Sequence, residues 1–280
     1  MQKISVLDND LKNSSFQNCS ISVLSAQDGY CFSVKDQQEN RFMVLRSYPG
    51  SDAHTASDIF TDLKEFKESI WNKDADVPVS RLVFAVKDCM LLPKAFGSPE
   101  QLKSILGFHY PDRVGKKILY TGFSGRDYML AGLVDADKHA ELKSGLNPKS
   151  VILSPASLLD AAEKYTKNKT GQAVYVQVWS GYVELLAFSD DKPLLYNTTT
   201  YKTGNDLVYY MLNLYKQLML DPKKCPLMFA GFVEKNDTAV VQLNKFIKHI
   251  FLETLNPDKN YSYTFQDTLP HYFVNFLNLD

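Results

Sequence analysis

Five histidines (His54, His109, His139, His249 and His271) and four cysteines (Cys19, Cys31, Cys89 and Cys225) are the most chemically versatile side chains of this 280-residue chain. A metal needs several of them converging at short, regular spacing. The histidines are scattered, none with a second histidine or a carboxylate at a ligand spacing, and the cysteines form no C-x-x-C pair. Structural or exposed imidazoles and reduced, buried thiols are therefore expected. Gly122-Phe123-Ser124-Gly125-Arg126 is a G-x-x-G turn carrying one arginine. A nucleic-acid clamp of that form needs basic surroundings, so this segment is read as a strand-to-strand turn. The phosphate-loop, dinucleotide, nucleophile-elbow and zinc-protease motifs are all missing, which removes the local geometry those chemistries require.

Charge narrows the partners further. Lys and Arg number 31 against 32 Asp and Glu, and no block of like charge exceeds the pairs at Lys116-Lys117 and Lys223-Lys224. Nucleic acid is excluded as a partner on that ground. The polar start of the chain and the lack of an 18-residue apolar window predict a cytoplasmic protein with no membrane insertion. With 45% hydrophobic residues at this length, a core stands on burial alone, without disulfides or a structural metal.

The elements that must position any site follow from periodicity. Ser20–Leu24, Tyr30–Val34 and Phe42–Leu45 are short β-rich runs, the first two separated by Asp28-Gly29, which predicts a type I′ turn. A helix follows, opened by Thr55 and Asp58, with Ile59, Leu63 and Phe66 on one face. The unbroken apolar run Leu82–Val86 has the composition of a doubly buried strand. A closing helix over 155–165 is expected, with Ser154 as its cap and Pro155 in its first turn. The second half repeats the order. Three strands (Ala173–Trp179, Tyr182–Phe188, Leu194–Thr198) precede a helix capped by Thr203 and Asp206, a short strand Leu227–Ala230 ending at Gly231, and a helix over 239–248.

Both halves thus read βββαβα, a duplicated α/β architecture whose halves enclose a cleft. The segment 88–147 is inserted as a small α+β subdomain. The expected division is a first lobe over 1–167, containing that insert, and a second over 168–280. The aromatic tail, Tyr261, Tyr263, Phe265, His271, Tyr272, Phe273 and Phe276, fits either a partner-binding surface or a closing core segment, and the core is favoured.

The duplicated order resembles the actin-like ATPase (ribonuclease-H-like) fold, and the insert is similar to the extra subdomain of division and pilus-assembly actin homologues. Leu194-Leu195-Tyr196-Asn197-Thr198, Tyr201-Lys202-Thr203, Asp206, Tyr209-Tyr210 and Ser80-Arg81-Leu82 are similar to an uncharacterised Bacteroidetes family, a domain of unknown function with that fold. The similarity runs from about Phe16 to Phe276. It implies a nucleotide cleft in which each half's first hairpin brings an aspartate into a glycine turn, with backbone N–H groups on phosphate and carboxylates on Mg²⁺. The cleft positions are then Asp28, Gly29, Gln177, Ser180, Gly181, Glu184 and Gly231, and the implied cofactor is ATP with Mg²⁺. The sequence departs from that pattern. Ser22 and Ser25 stand where the first acid belongs, neutral Gln177 where the second does, Trp179 where glycine is usual, and Gly231 supplies one glycine where two are usual. No catalytic residue is assigned. A non-catalytic scaffold that grips another protein through the insert or the interlobe cleft is expected. The alternative is a nucleotide- or phosphometabolite-binding switch with little or no ATPase activity.

Overall fold

The computed structural model describes all residues except 2, 14, 51–53, 72–74, 169–170, 191, 268 and 280. In chain order the elements are β1 (Ile4–Leu7), β2 (Cys19–Ala26), β3 (Gly29–Asp36), β4 (Arg41–Pro49), α1 (Ala56–Ile70) and β5 (Val79–Phe84). Next come β6 (Cys89–Pro93), α2 (Pro99–His109), β7 (Lys116–Gly122), β8 (Tyr128–Asp135) and α3 (Ala136–Leu146), then β9 (Ser150–Leu153) and α4 (Ala156–Asn168). The rest are β10 (Gln172–Val178), β11 (Tyr182–Ser189), β12 (Lys192–Thr200), α5 (Gly204–Gln217), β13 (Leu227–Gly231), α6 (Thr238–Leu243), β14 (Ile250–Leu252), β15 (Asn260–Tyr261) and α7 (Val274–Asn278).

The duplication extends from element order to sheet order. One sheet runs β1-β4-β3-β2-β5-β9, the other β12-β11-β10-β13-β14, so each half sets its third, second, first, fourth and fifth strands side by side. The three-strand meander is antiparallel, while β5 and β9 run parallel to β2, as β13 and β14 do to β10. Capping boxes at Thr55/Asp58 and Thr203/Asp206 start the two equivalent helices. Those helices bury Ile59, Leu63 and Phe66 on one sheet and Leu207, Met211 and Leu214 on the other. A three-stranded sheet, β6-β8-β7, with α2 and α3 forms the insert. Arg126 and Tyr128 hold it to α4 through the Glu163 carboxylate, at 2.5 and 2.6 Å, so the G-x-x-G segment is a turn pinned to the first half.

Three local expectations are corrected. Asp28 does not take the positive φ that a type I′ turn requires. Gly29 does, at +141°, and a Cβ there would meet the Tyr48 carbonyl. Ser154 does not cap α4 with its side chain; its hydroxyl is donated elsewhere, as described below. The helix expected over 239–248 stops at Leu243, because the chain must turn to lay β14 beside β13. The tail also leaves the second sheet. Asn260 and Tyr261, inside the expected second lobe, pair with Arg41 and Phe42 of β4. Phe265, Tyr272, Phe273 and Phe276 then bury themselves between the halves, whereas Tyr263 stays exposed.

Candidate functional site

The two equivalent hairpins, β2–β3 and β10–β11, come together in one apolar cluster, Ala26 and Cys31 of the first with Trp179 and Tyr182 of the second. At the first tip, the Asp28 carboxylate accepts from the Met1 α-ammonium at 2.7 Å. In the second hairpin, Gln177 and Glu184 are directly opposed cross-strand partners. Gly231 ends β13 one strand away, opposite Val178, at φ +87°. A Cβ at Gly231 would lie 2.0 Å from the Val178 carbonyl oxygen and 2.6 Å from Gln177 Nε2, so only glycine permits this approach. Gln177, Glu184 and Gly231 are thus brought together, with Ser180 and Gly181 exposed at the hairpin tip and Gly181 at φ +82°.

The tail decides what this constellation meets. Asn275 Nδ2 donates to Gln177 Oε1 at 2.7 Å, with both side chains buried. Ser154 Oγ donates to Glu184 Oε1 at 2.9 Å. Trp179 stacks on Tyr182 and meets Phe232 edge-on, and Phe232 in turn packs edge-on against Tyr272 and Phe273. These rings join Leu24, Ala26, Val83 and Ala85 of the first sheet in one apolar cluster. What remains of the cleft beside Glu184 is a cavity of about 10 Å³, room for about one water molecule. Glu184 itself has no solvent exposure. Burial pushes its carboxyl up to about 8, which the Ser154 hydrogen bond only partly offsets. Tyr182 is pushed up by burial first, then by the Glu184 and Asp28 carboxylates.

Among the described residues, no group of three His, Cys, Asp or Glu side chains is arranged to hold a metal. The open concave surface lies elsewhere. A groove of about 750 Å³ runs between the first sheet, the start of α1 and the insert. Within it Lys138 Nζ lies 2.6 Å from His54 Nε2 and 3.1 Å from the His54 carbonyl, and burial lowers its ammonium to about 8. Sequence reasoning missed this pair, since 84 residues separate the partners and neither sits in a motif.

This duplicated architecture, with a subdomain inserted in its first half, defines the actin-like ATPase fold. A crystal structure from Bacteroides thetaiotaomicron, described as a protein with that fold and unknown function, superposes with a TM-score of 0.73 at 17% identity, over 89% of this chain and 94% of that one. A PilM-PilN type IV pilus biogenesis complex matches with a TM-score of 0.60 at 12% identity, over 93% of this chain and 97% of that one. No curated protein matches the sequence. Residues 8–250 match the family model described as protein of unknown function (DUF3822), and the chain belongs to that family. No helix of the described residues is long and apolar enough to cross a membrane.

Proposed function

We propose that the protein is a non-catalytic, cytoplasmic interaction scaffold that grips a protein partner in the groove between its first sheet and its insert. One observation supports this reading: the tail packs against the second hairpin, where the resemblance would put a nucleotide's phosphates. Trp179 and Phe276 are buried in one apolar cluster there, and Gln177 Oε1 already accepts from Asn275. Binding there would require unburying several aromatic side chains, each worth roughly 2 to 3 kcal/mol of burial. Of the two clefts the sequence offered for a partner, only the groove at the insert is open. The fold's occurrence in a complex of PilM with PilN supports a gripping role.

The second reading is a nucleotide- or phosphometabolite-binding switch, favoured by the exposed Ser180-Gly181 turn, where open space surrounds Gly181. It demands that the tail swing out. Calorimetric titration of Mg-ATP and Mg-ADP separates the two. A flat titration is expected. Micromolar binding that Glu184→Gln abolishes, or ATP turnover that disappears on changing Asp28 or Glu184, overturns the scaffold.

A further inference from the structure

We propose that the groove takes an extended peptide segment bearing lysine or arginine side chains, an inference that rests on the scaffold reading. Its floor is apolar and buried: Ala26, Ala56, Phe84, Ala85, Leu133 and Val134. That suits one or two aliphatic side chains of an incoming strand.

The backbone beside the floor leaves a donor for an incoming segment. Ala85 N–H still bonds to Ser25 of β2, but β5 has ended at Phe84, and the N–H groups of Val86 and Lys87 make no hydrogen bond among the described residues. Both residues line the groove and are solvent-accessible. Successive N–H groups of a chain point to opposite sides, so one of these two amides at a time can bond an incoming segment, and it costs less when a peptide carbonyl covers it than when apolar matter does.

Charge selects the rim contacts. Asp88, Asp112, Asp135, Asp137 and Glu141 line the groove against Lys87, Lys116 and Lys138. Lys116 is 4.0 Å from Asp135, and Lys138 is directed at His54. The groove therefore presents five carboxylates to three ammoniums, an excess of two negative charges, with Asp135 shared between Lys116 and the cap of α3. A cationic side chain gains from that excess, and an acidic or phosphorylated segment is repelled. Exposed pairs of this kind act more on selectivity and on-rate than on total affinity, and they weaken with salt.

The experiment is a selection of random peptides displayed on phage against the full chain. The winners are synthesised and titrated by fluorescence anisotropy against wild type and two variants. One carries Asp135→Asn, Asp137→Asn and Glu141→Gln together, and asparagine at 135 keeps the cap on α3. The other, Glu141→Trp, places a bulky ring at an exposed position on the rim. Thermal unfolding confirms that each variant is folded. Winners should carry lysine or arginine among alternating apolar residues, lose at least tenfold in affinity to either variant, and weaken between 50 and 300 mM salt. Neutral or acidic winners that Glu141→Trp displaces overturn the basic chemistry while leaving the groove as a docking site. Winners indifferent to Glu141→Trp, or none at all, overturn this inference and the groove reading with it.

Discussion

Ser154, at the end of β9 in the first half, and Glu184, in the second hairpin, share a 2.9 Å hydrogen bond across the two halves of the molecule. The hydroxyl expected to cap a helix instead supports a fully buried carboxyl. Its other oxygen makes no well-formed hydrogen bond among the described residues, although the nearby Trp179 indole, like Ser154, favours the charged form. A carboxylate so placed is costly, so the protonated form is the one the fold accommodates.

Stability should accordingly fall as pH rises. The folded pKa of Glu184, about 8, lies above the ordinary carboxyl value of 4.5, so the folded state binds the extra proton. Its contribution is fully present below the unfolded value and is lost as pH climbs through the folded one, at up to about 1.4 kcal/mol per pH unit. Denaturant unfolding at pH 6.5 and 7.5 tests this; His139 and His271, whose imidazoles burial holds below the ordinary 6.5, add a slope of the opposite sign that the Glu184 variant retains. Glu184→Gln should flatten the slope by about that amount, and an unchanged slope refutes the assignment. Glu253, pushed up to about 7 by burial, adds a slope of the same sign that the variant retains.

Removing the tail's polar anchor should loosen the interlobe cleft. Asn275→Ala leaves Gln177 Oε1 buried without its donor, at a cost of about 1 to 3 kcal/mol. Phe276→Ala removes a nearly buried ring and should cost about 3 to 5 kcal/mol. Urea midpoints measure both, and values near zero would show that the tail does not hold the cleft closed.

Two glycines of the candidate site should respond differently to alanine. Gly181→Ala faces open space and bears only the left-handed backbone cost, roughly 1 to 2 kcal/mol. Gly231→Ala adds a clash with the backbone of Val178 and should cost clearly more, as thermal unfolding will report.

All four thiols should be silent in the native state. Cys19, Cys31, Cys89 and Cys225 are buried and free, and burial raises each thiol, Cys19 and Cys225 to about 11. Ellman's reagent at pH 8 should label none without denaturant and four in its presence. A fast native equivalent would reveal an open thiol.

The repeated βββαβα order was legible because each element carries its own local signal. Thr55 with Asp58 and Thr203 with Asp206 mark helix starts three residues apart, and the apolar run Leu82–Val86 marks a buried strand, although β5 ends at Phe84. The short strands β1, β9, β14 and β15 were not, since two to four residues hold too little periodicity and are strands only because a partner edge is present. The helix at 239–248 was overrun for the same reason: propensity favours its continuation, and pairing with β13 stops it.

For the candidate site, residue types and chain order placed Gln177, Ser180, Gly181, Glu184 and Gly231 on one hairpin and the strand end beside it, and they exposed the missing acids and the bulk of Trp179. Only the tertiary structure decided what faces them. The partners Ser154 and Asn275 lie 30 residues before Glu184 and 98 after Gln177, and His54 and Lys138 meet in the groove across 84 residues. Local propensity and periodicity act over a few residues, whereas burial and pairing across such separations depend on how the whole chain closes, so the sequence by itself specified the architecture and its departures, and packing determined that one cleft is filled and the other open.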